Sequence, residues 1–167
     1  QKDISVPLST LFSHNTKVVD STAPRLAFVR DAVRIPLSGG PSEATLVRYP
    51  DQPKKDPRHH DLASGHVYIE REDSTTTSFR LKDLVDVDQH EGRLIAGDIE
   101  RRDQRPIVHW TVDTSQHATL IVAEEDRLRE VKGQLEPHQH PAGTVVHLER
   151  IGYAVVLDDR RLLLAHE

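Results

Sequence analysis

Eleven histidines and twenty-two lysines and arginines carry most of the chemistry open to this 167-residue sequence, because it contains no cysteine. Without thiolates, neither a disulfide framework nor a cysteine-built zinc site can form. Two histidine clusters have a spacing that invites a metal, His59-His60-Asp61 and His138-Gln139-His140. On a strand, an HxH spacing puts both imidazoles on one face. Pro137 and Pro141 bracket the second pair, however, which makes it a loop, and no third ligand is evident, so no metal site is expected. Covalent chemistry has no better support. Serine, threonine and histidine are scattered over loops without a triad pattern, and the acids Glu124-Glu125-Asp126 and Asp158-Asp159 fall at turns, where solvated carboxylates belong. The glycine pair in Ser38-Gly39-Gly40-Pro41 lacks the helix and lysine of a phosphate loop. No catalytic residue and no cofactor are expected in this chain. What is left is binding by cations, and for that the placement of the basic residues decides.

The elements that must position those cations are short and β-like. Leu8, Leu11 and Phe12 sit at helical spacing, predicting a short helix that ends near His14 or Asn15, with Pro24 setting an extended entry to the first strand. From Leu26 onward come runs such as LAFV, AVRIPL, HVYIER, FRLKDLVDVD, PIVHWTVD, ATLIVA and TVVHLERIGYAVVL, rich in β-branched residues and mostly alternating apolar with polar. They predict about ten strands, separated by turns at 38–41, 91–93 and 158–160. Sheets of parallel strands joined by crossover helices are excluded by the shortage of helix, leaving an all-β fold of one or two antiparallel barrels. No internal repeat is evident. The loop from Pro50 to Gly65 is long for a small domain, a length that usually serves function or motion.

Composition bounds the class. Hydrophobic residues at 36% with charged residues at 29% describe a folded globular chain with much solvated surface. No apolar run approaches the roughly 20 residues needed to span a bilayer, and the amino terminus has no secretion-signal pattern, so a cytoplasmic location without a membrane partner is expected. The sequence begins at Gln1 and contains no methionine, which suggests a piece of a longer protein. A net charge of -5 argues mildly against nucleic acid, unless the basic residues share a face.

A family resemblance enters on ordered blocks: NTKVVDSTAPRLAFVRDAVRI from Asn15, HVYIERED, FRLKDLVDV, RPIVHW, KGQLEP, VVHLERIGYAVVLDD and RLLLAHE. In this order and at these spacings, over almost the whole chain, they resemble the anticodon-binding region of class I glutamyl- and glutaminyl-tRNA synthetases. The form is most similar to the archaeal and eukaryotic-type glutamyl enzymes, since the inserts between strands are short. The resemblance implies two antiparallel β-barrels, related to a ribosomal-protein barrel that also binds RNA. It implies a helical linker over 1–24, then a proximal barrel from about 25–72 and 140–167 and a distal one from about 73–139. It also implies that ATP and magnesium belong to a catalytic domain outside this chain, and that the partner is the anticodon arm of tRNA(Glu), with no DNA partner.

Reading anticodon bases requires them to be unstacked, laid on flat side chains and hydrogen-bonded along their edges, which suits arginine. The positions matching the family's tRNA-contacting ones are Arg25, Arg80, Lys82, His147 and Arg150. Arg80 and Lys82, two apart on a strand, are expected to share a face; His147 and Arg150, three apart, share one only if the strand bulges. The glutaminyl enzymes carry a glutamine amide where His147 stands, one further sign of a glutamate enzyme. Lys54, Lys55 and Arg58 are expected to form a basic finger against tRNA phosphates. The alternatives are a free-standing barrel binding RNA or protein, or the equivalent region of a glutaminyl enzyme.

Overall fold

A computed structural model describes residues 22–101 and 103–166, so the helix expected near Leu8 to Asn15 lies outside the described residues. Strands dominate the described residues, and a 3-10 turn over Arg71–Thr75 is their one helical element. A first run, β1 (Arg25–Leu26) and β2 (Phe28–Arg30), is broken at Ala27, and β3 (Ala32–Ser38) begins after a single residue. A hairpin of β4 (Glu43–Leu46) and β5 (Arg58–Asp61) precedes β6 (His66–Glu70), β7 (Ser78–Leu81), β8 (Val85–His90) and β9 (Arg93–Ala96). A second run, β10 (Ile107–Val108) and β11 (Trp110–Val112), is broken at His109. The chain then gives β12 (Gln116–Glu124), β13 (Arg127–Leu135), β14 (Val145–Leu148), β15 (Gly152–Asp158) and β16 (Arg161–His166). The turn expected at 91–93 closes β8 to β9, with Glu91 and Gly92 both at positive φ (51° and 76°), the pattern of a tight two-residue hairpin.

The strands form two large sheets, ordered β1-β14-β15-β16-β12-β13-β2 and β10-β7-β8-β9-β3-β6-β11. In each, the two end strands are halves of one run, so each sheet closes on itself as a barrel. Residues 25–30 close the first barrel, pairing parallel with β14 and antiparallel with β13. Residues 107–112 close the second, pairing parallel with β7 and antiparallel with β6. Two further pairs, β12 with β16 and β3 with β9, are also parallel, so the barrels are mixed rather than purely antiparallel as expected. Strand pairing changes hands at Asp31 and between Val112 and Gln116, not near 72 and 139 where the barrel boundaries were expected.

The pairing uncovers the repeat that is not evident in sequence. With the β4–β5 hairpin inserted in the first half set aside, each half of the chain reads run, then five strands, and the two sets pair in the same way: β3, β6, β7, β8 and β9 correspond to β12, β13, β14, β15 and β16. The closing runs are exchanged, the first completing the barrel of the second half and the second that of the first. A short connector enforces this. To close its own barrel, residues 25–30 would lie beyond β6 and parallel to β3, which takes a crossover of a dozen or more residues; only Asp31 is there. At φ 44° it donates its N–H to Lys132 in one barrel and accepts from Arg71 beside the other. Of the equivalent segments Pro24-Arg25-Leu26-Ala27-Phe28 and Pro106-Ile107-Val108-His109-Trp110, only the proline is the same residue. The backbone bonds repeat all the same: His147 N–H donates to the Pro24 carbonyl as Arg80 N–H does to Pro106.

Each core is completed by an aromatic ring from the other half. Phe28 is fully buried among Leu120, Leu135, Leu148 and Leu162, and Trp110 packs with Ile69, Phe79, Leu81 and Leu94. Full burial of one such ring contributes about 1.5–3 kcal/mol, so neither barrel can lose the donated run cheaply. The exchange predicts one cooperative unfolding transition for both barrels. It also predicts that separately produced residues 1–103 and 104–167 each lack native far-ultraviolet and fluorescence signals, and regain them on mixing. Native signals from either piece alone would contradict the exchange.

Candidate nucleic-acid interface

The two barrels meet where their equivalent turns face each other. β7 ends at Leu81 and β14 at Leu148. In both, the chain folds back through an i to i+3 bond, Leu84 N–H to Leu81 O at 2.9 Å and Ile151 N–H to Leu148 O at 3.0 Å. The third residue of each turn is left-handed, Asp83 at φ 58° and Arg150 at φ 70°. Lys82 of one turn reaches Glu149 of the other, Nζ to Oε2 at 3.3 Å. Burial, the largest influence, pulls the Lys82 pKa down, but Glu149 and Asp83 outweigh it and hold the ammonium above its ordinary value.

Around this contact lies a cleft of about 380 Å³ lined by Arg25, Lys82, His147 and Arg150 together with Asp83, Glu149, Val47 and Pro50. Arg25 and His147 are opposite each other in the parallel pair of β1 and β14. The His147 ring stands edge-on to Tyr153 at 4.8 Å between centroids. The Arg150 guanidinium spans the seam, donating to Asp73 Oδ2 and to the Ile107 carbonyl, both at 3.0 Å. Among the described residues the Arg25 guanidinium has no hydrogen-bond or ion-pair partner, which leaves its planar fork available in the cleft.

Below the cleft, two glutamates at equivalent positions tie the barrels. Glu136 directly follows β13 and is 1% exposed; it accepts the Ala27 N–H at 2.9 Å, Arg58 Nε at 3.0 Å and His60 Nε2 at 3.1 Å. Burial raises its pKa most, but His60 and Arg58 more than cancel that and keep it below the usual carboxylate value. Glu70, at the end of β6, grips Arg30 of the other barrel through Nε at 2.7 Å, Nη2 at 3.3 Å and the backbone N–H at 3.0 Å. Burial again pushes its pKa up, yet His109 and Arg30 dominate together and bring it to about 2. Glu70, Asp73 and His109 lie close enough to suggest a metal site, their nearest ligand atoms within 4.8 Å. Arg30 and Arg150 already balance these carboxylates, so the cluster is an ion-pair network.

Four of the sequence-derived tRNA-contacting residues, Arg25, Lys82, His147 and Arg150, therefore share one cleft, and four do not. Arg80 is 9% exposed and turned away, bonded to Asp86 and to the Asp98 and Ile99 carbonyls. The face-sharing expected of Arg80 and Lys82 fails because the strand ends between them. Conversely, His147 and Arg150 reach the same cleft because Arg150 is in a turn rather than on the strand. Lys54 and Lys55 are exposed on the loop after β4, and Lys55 rests 4.6 Å over the Tyr49 ring. Arg58 is no finger residue: it lies on β5, 3% exposed, locked to Glu136 and Glu149. Sequence reasoning missed Asp83 and Glu149, whose acidity offered no sign of a cation-bearing cleft.

With the geometry in place, comparison with known proteins gives the class. Residues 23–104 match the family described as "tRNA synthetases class I (E and Q), anti-codon binding domain". The matched residues belong to this family of anticodon-binding domains. Curated relatives are glutamate–tRNA ligases: that of Natronomonas pharaonis is 31% identical over 91% of this chain and 27% of its own length. Those of Methanospirillum hungatei and Pyrococcus abyssi are each 30% identical over 92% of this chain and 29% of theirs. The chain thus spans under a third of the length of these relatives.

The buried carboxylates make two outcomes measurable. Arg58→Ala should lower stability by about 3–5 kcal/mol in urea unfolding, because it strands the Glu136 charge, whereas Lys54→Ala should stay within about 0.5 kcal/mol. Glu70 has a folded pKa of about 2 against 4.5, so its stabilisation is complete above about pH 4.5 and fades as pH falls toward 2. Urea unfolding from pH 6 to pH 3 should therefore show an acid loss, of roughly 3 kcal/mol at its limit, that Glu70→Gln flattens.

Proposed function

We propose that the cleft between the barrels receives unstacked anticodon bases of tRNA(Glu), and that the chain serves a glutamate–tRNA ligase by helping it select that tRNA in the cytoplasm. In this reading ATP and magnesium act outside this chain, and this chain contributes recognition alone. The observation that carries it is the unpartnered Arg25 guanidinium, set in one cleft with a half-exposed lysine and an imidazole. A planar fork of five N–H donors can bind a base edge or phosphate bidentately or lie flat on a base. Glu149 and Asp83 supply acceptors, so the cleft can match base amino groups as well as carbonyls. The names of the curated relatives support the choice of glutamate over glutamine.

Filter binding with the anticodon stem-loop of tRNA(Glu) tests the reading. The chain should bind it at micromolar or tighter dissociation constants, with affinity falling as salt rises, and should bind an anticodon-swapped stem-loop more weakly. Arg25→Ala should cost about tenfold, within the roughly 1–3 kcal/mol typical of a base-reading arginine. Equal affinity for both stem-loops would remove the claim of anticodon selection.

A further inference from the structure

A second pocket, of about 460 Å³, opens on the other side of the segment that walls the first. Val47 and Pro50 line the Arg25 cleft, while Arg48 and Tyr49 between them line this one. The Arg48 carbonyl accepts the Arg25 N–H at 2.8 Å, fixing the distance between the two sites. The far wall is the loop carrying His138, Gln139 and His140.

The hydrogen bonds determine what this pocket offers. The His140 N–H donates to His138 Nδ1 at 3.0 Å, so the proton of the neutral His138 ring is on Nε2. Arg48 Nη1, which can only donate, meets His140 Nε2 at 3.3 Å, so the His140 proton is on Nδ1. The rings stack at 5.4 Å, and burial, with the positive charge of Arg48, lowers both pKa values against the opposing pull of Glu136, Asp56 and Asp159, keeping the rings neutral. Arg48 is 15% exposed; its Nε is used on Asp56, but its Nη2 has no acceptor among the described residues, nor have His138 Nε2 and His140 Nδ1. Lys55 adds positive charge at the rim, over Tyr49. Three donor nitrogens without acceptors border one pocket, two of them on flat rings, and the carboxylate that also lines it, Asp56, is answered by Arg48 Nε; the donors complement an anion with several oxygen acceptors.

We infer that this pocket binds a backbone phosphodiester of the same RNA strand whose bases enter the Arg25 cleft, the strand passing over residues 47–50. Resting on the proposed function, it deepens it: the cleft selects the bases, and the Arg48–His138–His140 pocket holds the backbone without regard to sequence. The spacing of this histidine pair by itself invites only a metal; Arg48 beside it changes the chemistry the pair can offer.

Binding of the chain to anticodon stem-loops across a salt series tests the inference, using Arg48→Gln, the double variant His138→Ala/His140→Ala, and Arg25→Ala. Losing one phosphate contact should weaken Arg48→Gln roughly tenfold, equally for matched and swapped anticodons, and reduce the salt slope by about one. The histidine double variant should weaken binding in the same sequence-independent way; its changes are confined to a loop, so it decides the matter if Arg48→Gln fails to fold. A series of stem-loops each neutralised at one phosphate by methylphosphonate should include one position that costs the wild type affinity and costs Arg48→Gln nothing more. Wild-type affinity and slope in both variants, with Arg25→Ala still impaired, would overturn the inference and leave the proposed function standing. Unimpaired binding by Arg25→Ala would instead strike the reading beneath it.

Discussion

A connector one residue long, Asp31, governs this molecule. The run before it cannot turn back to close the barrel that begins after it, because the required path is parallel and must cross β6. The run is left to the other half of the chain, whose three-residue connector at 113–115 imposes the same choice in return. Two barrels that would otherwise be neighbours on a string become interlocked. Their relative placement follows from strand pairing and does not depend on a surface contact alone. The Arg25 cleft exists only because of this: β1 brings Arg25 to β14, and the turns after β7 and β14 face each other across the seam.

Charge then fixes the seam. Glu136 and Glu70 stand at matching points of the two barrels, each beside the break in a closing run, Ala27 in one case and His109 in the other. A carboxylate buried this deeply destabilises the fold unless it is paired and hydrogen-bonded. Arg58 and His60 meet the need at Glu136, Arg30 and His109 at Glu70. Arginines that a sequence reading assigns to RNA are thereby consumed inside the protein. Arg58 holds Glu136 and Arg80 holds Asp86, whereas the Arg25 guanidinium has no partner among the described residues. A net charge of -5 is therefore compatible with a cleft that keeps an unpaired guanidinium, because local placement and not the total decides what a face presents.

Much of this was legible in the residues. Alternating β-branched runs gave the strands, Glu91-Gly92 gave its hairpin turn, and the ordered blocks gave the family. Four of the eight candidate contacts share the cleft. The rest was hidden for physical reasons. Strand alternation projects side chains only while the strand lasts, and it ends between Arg80 and Lys82. Loop or strand could not be told for Arg58 at the end of a proline-rich segment, and its burial depends on Glu136, 78 residues away. The repeat escaped notice because equivalent positions need only matching shape and hydrogen bonding. Phe28 and Trp110 both fill a core, while Arg25 and Ile107 share a place and differ in every chemical respect.

The central claim is that RNA is read at a seam made by both halves of the chain. Amide chemical-shift mapping of the isotopically labelled chain, titrated with the tRNA(Glu) anticodon stem-loop, addresses it directly. Perturbations should rise together and saturate at one RNA equivalent in residues 25–26, 82–84 and 147–151, which come from both barrels. Shifts confined to the turn of a single barrel, or centred on a surface away from Arg25, would contradict it.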